Sequence, residues 1–389
     1  MYYLGIDVAK RKHTAMVVDE QGQVFTRAFS FSNDRAGFGQ LLAKIQTLTA
    51  AVTVALEATG HYWLALYDYL TSRDYTVLVL NPLQIAAYRR TGIRKRKTDR
   101  HDAYWIADFV RIGGGQPCHI SQQVILQIRE LARFRFRLVE QIGDCKRKII
   151  SVLDRVFPEY ETLFSNIFIR TSRRLLQEAV TAEEFADFPL DELHSLLSST
   201  SRGRFGLSKA QQIIDTAAQS IGVSFLADAA RLELHCLLQQ IEFLEAQVAD
   251  VDAALNTLLQ QTEQYLTTIP GIGATTAAAI LGEIGNVKRF PSLEKLVAYA
   301  GIDPTLYQTG QFEAKVAHMS KRGSPYLRHA LWQAASAARQ YDPQLKAYYQ
   351  RRRAEGKAHG VIMGAICRKL LARIYAVLSE NRPYVIDQL

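Results

Sequence analysis

Cysteine is scarce in this 389-residue chain, and the four that occur (Cys118, Cys145, Cys236 and Cys367) stand singly. No C-x-x-C pair exists, which argues against a zinc site and against a disulfide framework. Long apolar runs are also missing: none approaches the roughly 18 residues that a membrane span needs. The N-terminus, Met1-Tyr2-Tyr3-Leu4-Gly5-Ile6-Asp7, lacks the basic and apolar regions of a signal peptide. The expected location is therefore cytoplasmic, with no membrane partner. Acids are in deficit, 38 Asp and Glu against 47 Lys and Arg, for a net charge of +9. Such a surplus favours a polyanion, either nucleic acid or an acidic membrane face. What remains is an ordinary globular mixture, 48% hydrophobic and 22% charged. It excludes wholesale disorder, and the length predicts two or three domains.

Residues 1–112 alternate strand and helix patterns. Tyr3 to Val8, His13 to Val18 and Gln23 to Phe29 read as three strands joined by short polar turns, an antiparallel meander. A helix pattern follows over 35–48, then a strand over Val52 to Glu57, a helix over 61–72 and a strand over Thr76 to Leu80. Pro82 suits the first turn of a further helix. Three hairpin strands feeding parallel ones predict an RNase H-like mixed sheet. The fold class is thus α/β at the N-terminus, with all-α regions behind it.

Residues 121–265 have little glycine and no strand pattern. Leu131, Phe134, Leu138, Ile142, Cys145, Ile149 and Val152 recur at spacings of three and four. Leu234, Leu237, Ile241, Leu244, Val248, Val251, Leu255 and Leu258 do so without a slip. A period of 3.5 residues predicts a coiled-coil seam, paired within the chain or between subunits. The stretch 160–230 has no assignable pattern. A third unit starts near 266, where Thr268-Ile269-Pro270-Gly271-Ile272-Gly273 resembles a helix-hairpin-helix whose glycines let backbone N–H groups approach phosphate. The expected domains are 1–120, 121–265 and 266–389.

Asp7 and Glu57 end strands, and Asp99 and Asp102 share a helix face at i, i+3. In an RNase H-like sheet the first and fourth strands are neighbours, so Asp7 and Glu57 project from one edge, where the helix carrying Asp99 and Asp102 can close. Four carboxylates at one point repel unless a cation neutralises them. Hard oxygen donors suit Mg²⁺, and a pair of such ions clamps a phosphodiester. Each acid alone is more often a cap or a solvated residue. The basic run Arg89-Arg90-Thr91-Gly92-Ile93-Arg94-Lys95-Arg96-Lys97 leads into Asp99 and reads as a phosphate-gripping loop. Near the C-terminus, Tyr307-Gln308-Thr309-Gly310 and Met319-Ser320-Lys321-Arg322-Gly323 through Arg328 set hydroxyls beside cations. Lys321, Arg322 and Arg328 are candidate nucleic-acid contacts. A hydroxyl so placed can act as a nucleophile, although Ser and Thr in Gly-rich loops are commonly turn residues.

Taken in order, Gly5-Ile6-Asp7-Val8-Ala9-Lys10, Glu57-Ala58-Thr59-Gly60, Lys97-Thr98-Asp99 through Asp102-Ala103, Ile269-Pro270-Gly271-Ile272-Gly273, Tyr307-Gln308-Thr309-Gly310 and Met319-Ser320-Lys321-Arg322-Gly323 resemble one family closely. It is the IS-one-ten insertion-sequence family of DEDD recombinases, related to the Piv DNA invertase. The resemblance covers about residues 2–112 and 266–380. It implies an N-terminal RuvC-like domain in which Asp7, Glu57, Asp99 and Asp102 bind Mg²⁺, and a C-terminal transposase domain that supplies a hydroxyl nucleophile. It also implies a non-coding bridge RNA pairing with donor and target double-stranded DNA. The implied assembly is a homo-oligomer, a dimer of dimers. Its active site is composite between subunits, and the coiled coil is a subunit contact.

The family's nucleophile is the Ser of a Tyr-x-Ser-Gly motif, and here that position is Thr309. Threonine keeps the hydroxyl, adds a methyl group and restricts χ1. Three readings stay open: a slower nucleophile, an engineered substitution that traps a pre-cleavage state, or a natural variant in which Ser320 takes part. The expected function is an RNA-guided DNA recombinase working through a covalent phospho-hydroxyl intermediate. A RuvC-like junction nuclease using water is the alternative, and a non-catalytic nucleic-acid-binding protein is the third possibility.

Overall fold

The computed structural model describes residues 1–58, 60–90, 98–114, 123–304, 308–309, 312–313 and 318–386. The chain divides into two compact units, residues 1–120 and 121–389.

The first unit opens with the antiparallel meander β1 (Tyr2–Asp7), β2 (Lys12–Val18) and β3 (Val24–Ser32). Helix α1 (Arg35–Gln46) follows, started by Asp34, whose carboxylate accepts from the Gly37 N–H. Then come β4 (Val52–Glu57), α2 (Leu64–Thr71), β5 (Val77–Leu80), α3 (Pro82–Arg89) and α4 (Asp99–Arg111). The strand order is β3-β2-β1-β4-β5, with β4 parallel to both β1 and β5. This is the mixed sheet that the meander predicted. Strand alternation assigns the faces. Leu4, Ile6, Val54 and Leu56 pack under α1 and α2 with Phe38, Leu41, Leu66 and Leu70. Ala55 and Leu80 meet Ile85 of α3 and Ile106 of α4 on the opposite face. Gly5, Asp7 and Glu57 belong by parity to that second face.

The second unit is built on two 34-residue helices, α5 (Gln123–Val156) and, after an intervening helical segment, a second one over Ala227–Gln260. Between them lie α6 (Tyr160–Leu163), α7 (Arg170–Glu178), α8 (Ala182–Ala186), α9 (Leu190–Ser201) and α10 (Leu207–Ala218), so the second long helix is α11. Helices α5 and α11 run antiparallel: Arg135 pairs with Asp252 at 2.6 Å, and Arg155 with Glu233 at 3.1 Å. Leu234, Leu237, Ile241, Val251 and Leu255 are buried, and Leu244, Val248 and Leu258 are partly buried. The apolar seam of α11 is thus covered within the chain. Of the two pairings left open for it, the one within the chain is present, with α5 as the partner helix.

The unassigned stretch proves helical. Its core joins Phe157, Tyr160, Phe185, Leu193, Leu197 and Ile213 to the inner halves of α5 and α11. The outer halves of the same two helices enter a second core. That core holds α12 (Ala274–Ile284), α13 (Leu293–Ala300), α14 (Pro325–Tyr341), α15 (Pro343–Ala354) and α16 (His359–Glu380). No break between cores therefore falls at residue 265, since both long helices serve each of them. A short hairpin, β6 (Gln308–Thr309) with β7 (Phe312–Glu313), precedes α14.

The Ile269-Pro270-Gly271-Ile272-Gly273 turn follows a single 3₁₀ turn, Leu266–Thr268, rather than a helix. Gly271 has φ +93°, and a Cβ there would stand 2.4 Å from the Ala338 backbone nitrogen. This glycine lets the turn lie against α14. Among the described residues, no helix is long and apolar enough to cross a membrane.

Candidate active site

Each acid of the proposed quartet is placed by a local rule. Asp7 is the last residue of β1 and Glu57 the last of β4, and the parallel register pairs Ile6 with Leu56 just before them. The two carboxylates therefore leave adjacent strands at the same level and on the same face. Asp99 and Asp102 occupy the first turn of α4, where the helix dipole favours negative charge. Thr98 is the N-cap, its hydroxyl accepting from the His101 N–H.

What brings α4 to the strand ends is the smallness of the contact. Gly5 faces Ala103 and Ala107, and a Cβ on Gly5 would stand 2.2 Å from the Ala103 carbonyl oxygen and 2.4 Å from the Ala107 nitrogen. With no side chain in the way, the first turn of α4 sits beside Asp7. Asp102 is buried with 7% of its surface exposed, and Asp99 is exposed. The quartet thus grades from a buried acid to a solvated one.

The electrostatics show that the four acids feel one another. The Asp7 carboxyl is pushed up from 3.8 to about 6, first by burial and then by Asp102, Asp99 and Glu57, with Arg89 opposing. Arg89, at the end of α3, reaches into the cluster. Its Nη2 donates to Glu57 Oε2 at 2.8 Å, and its Nε lies 3.5 Å from Asp102 Oδ1. A guanidinium between two of the acids acts as a built-in counter-ion. Among the described residues, no three His, Cys, Asp or Glu side chains converge closely enough to chelate one ion as they stand. The donor set, all carboxylate oxygen around a spot already holding a cationic group, fits a hard divalent cation. The sequence places Arg89 at the head of the expected phosphate-gripping run; the structure turns it instead onto the acids from the end of α3, a contact made through space.

Of the expected phosphate-gripping run, Arg94, Lys95, Arg96 and Lys97 lie outside the described residues. In the second unit, Pro304 and Met319 form an antiparallel bridge, and Ser320 N–H donates to the Asp303 carbonyl at 2.9 Å. The hairpin with Thr309 rises from this base, Thr309 pairing with Phe312. Ser320 Oγ donates to Asp303 Oδ1 at 2.5 Å and so serves the base of the hairpin. Lys321 takes a left-handed turn at φ 52° and its N–H donates to the Gly301 carbonyl. The Lys321 and Arg322 residues are exposed. Arg328 is half-buried, and its Nη1 donates to the Ala300 carbonyl at the end of α13. Ser324 caps α14 and its hydroxyl donates to the buried Glu283, which Arg133 also holds. A further basic run that the sequence reading did not single out, Arg351-Arg352-Arg353, closes α15.

Comparison with known proteins agrees with these two regions. A DEDD transposase model matches residues 4–158, and a model for the transposase IS116/IS110/IS902 family matches residues 263–350. The pilin gene-inverting protein of Moraxella bovis is 27% identical, over 98% of this chain and 97% of its own length. The transposase for insertion sequence element IS1111A of Coxiella burnetii is 24% identical, over 98% of this chain and 90% of its own. An insertion element IS110 protein of 43.6 kDa from Streptomyces coelicolor is 24% identical, over 98% and 95% respectively.

Proposed function

The chain belongs to the IS110 family of transposases, DNA recombination enzymes, and on that premise we propose that it exchanges DNA strands through Asp7, Glu57, Asp99, Asp102 and Thr309. The observation that carries the proposal is the shared field of the four acids, expressed in the raised Asp7 carboxyl. Asp7, Glu57, Asp99 and Asp102 would hold Mg²⁺, which supplies Lewis-acid stabilisation of charge on a phosphodiester. Buried Asp102 and strand-end Asp7 and Glu57 fix the donor positions, while exposed Asp99 leaves one side open to substrate. Arg89, bonded to Glu57 and close to Asp102, would balance part of their charge while the site holds no cation. The hydroxyl oxygen of Thr309 forms a bond to phosphorus and its proton passes to water, while the bond from phosphorus to one DNA oxygen breaks, that oxygen leaving with the electron pair and taking a proton from water to become a hydroxyl. The phosphodiester energy is then kept in the protein–DNA linkage, so rejoining needs no ATP. A bridge RNA that selects donor and target double-stranded DNA, and a dimer of dimers with a composite site, complete the proposal as the family resemblance implies them.

A denaturing gel of the chain incubated with guide RNA, Mg²⁺ and end-labelled DNA tests this. Asp7→Ala, Glu57→Ala, Asp99→Ala and Asp102→Ala should each abolish strand exchange, Thr309→Ala should remove the covalent adduct, and Thr309→Ser should match or exceed the native rate. Cleavage without any adduct would favour the hydrolytic junction nuclease instead.

A further inference from the structure

The last two long helices carry an uneven share of the charge. Residues 343–380 contain eight Lys and Arg against two Glu, in a chain whose whole surplus is nine. Arg352 pairs with Glu355 at 2.6 Å, and Arg373 with Asp342. Among the described residues, Lys346, Arg351, Arg353, Lys357, Arg368 and Lys369 have no carboxylate within ion-pair distance, and all six are exposed. They are not spread evenly. Arg351, Arg352 and Lys369 converge on the ring of Tyr348, at 5.7, 5.8 and 4.9 Å from its centroid. Like charges held this close by two packed helices repel one another, and a polyanion relieves that repulsion. Most of this corner lies beyond residue 350, where the second family match ends.

We propose that this corner of α15 and α16 is a docking surface for the phosphate backbone of duplex DNA. Duplex DNA offers one negative charge per roughly 1.7 Å of axis, so a rigid cationic corner meets several phosphates at once. Recognition of unpaired RNA relies on bases stacking on open aromatic faces. Here the central ring is partly buried against the core and is engaged by cations from both helices. Lys and Arg without a reading set of amides give contact that is independent of sequence. The surface would hold DNA while other parts of the assembly choose the site.

The proposal rests on the recombinase reading, and binding is therefore read in EDTA, where no chemistry occurs. Loss of strand exchange then bears on the acids and loss of binding on this corner. The probe is a labelled duplex of arbitrary sequence followed by fluorescence anisotropy across a salt series, with an RNA hairpin of matched length as the second arm. For Arg351→Gln/Arg353→Gln/Lys369→Gln, the log–log salt slope on duplex should become shallower by about two to three, at about 0.9 per lost contact. Affinity at physiological salt should fall about tenfold or more, with the hairpin affected less. An unchanged duplex slope would overturn the proposal, as would a loss on the hairpin equal to or larger than that on duplex. If the triple variant melts early, Lys357→Gln in the connecting turn decides. A slope change of about one supports the surface, and no change overturns it.

Discussion

Gly5 and Ala103 touch backbone to backbone: the position a Gly5 Cβ would take is 2.2 Å from the Ala103 carbonyl oxygen. A strand and a helix that close hold the start of α4 against the end of β1. Gly5→Ala should therefore push α4 outward. The expected cost is about 1–3 kcal/mol or more, as for overpacking in a dense core. Thermal melting should show the loss, and strand exchange should fall with it because Asp102 moves away from Asp7. A variant with native melting and native activity would show that the contact does not position the acids.

Asp7 gives a pH prediction with a definite sign. Its carboxyl titrates at about 6 in the fold against 3.8 ordinarily, so the folded chain binds that proton more tightly. The stabilisation is complete below about pH 3.8 and is lost as pH rises through 6. Without divalent cation, Asp7→Asn should be more stable than the native chain at pH 8, by about 1–2 kcal/mol once solvent screening is allowed for. The advantage should vanish toward pH 4, and Mg²⁺ should stabilise the native chain more than the variant. Arg89→Gln should act in the opposite sense, lowering stability at pH 8 by removing a positive charge beside Glu57 and Asp102. Melting curves in EDTA decide, and an Asp7→Asn chain no more stable at pH 8 would remove the repulsive cluster.

The α11 seam gives a prediction about folding rather than assembly. Ile241 is fully buried and Val248 is packed against both cores. Replacing both with Lys puts charges among apolar side chains at a cost of several kcal/mol. The double variant should lose helical signal and melt early. Sedimentation showing a smaller oligomer with the fold intact would instead assign the seam to a subunit contact.

The base of the hairpin separates two hydroxyls. Ser320→Ala removes a hydrogen bond to the Asp303 carboxylate and should slow adduct formation several-fold without ending it. Hydrogen exchange should rise at residues 301–304 and 318–321. Adduct formed by Thr309→Ala but not by Ser320→Ala would identify Ser320 as the nucleophile.

Much of the first unit was legible because its signals are local. Alternation and short polar turns set the strands, and Asn81-Pro82 set the start of α3. The pairing of β1 with β4 followed from the order of the elements. The contact of Arg89 with Glu57 and Asp102 was not legible, because it is made through space. The helices α6–α10 were obscured by their shortness: α6 and α8 are four and five residues long, too few to show a period. The close approach of Gly271 to α14 was not legible, since nothing near it in the chain announces that helix as its neighbour.

By itself the sequence determined the element types of the first unit, the basic balance of the chain and the order of motifs that marks its family. These depend on residues close together in the chain, or on simple counts. Tertiary structure decided which partner covers the α11 seam, that both long helices serve two cores, and that Arg89 stands among the acids. A 3.5-residue period states that a helix has an apolar stripe and leaves open what lies against it. Only the return of α11 along α5, with Arg135 reaching Asp252 at one end and Arg155 reaching Glu233 at the other, fixed that partner inside the chain.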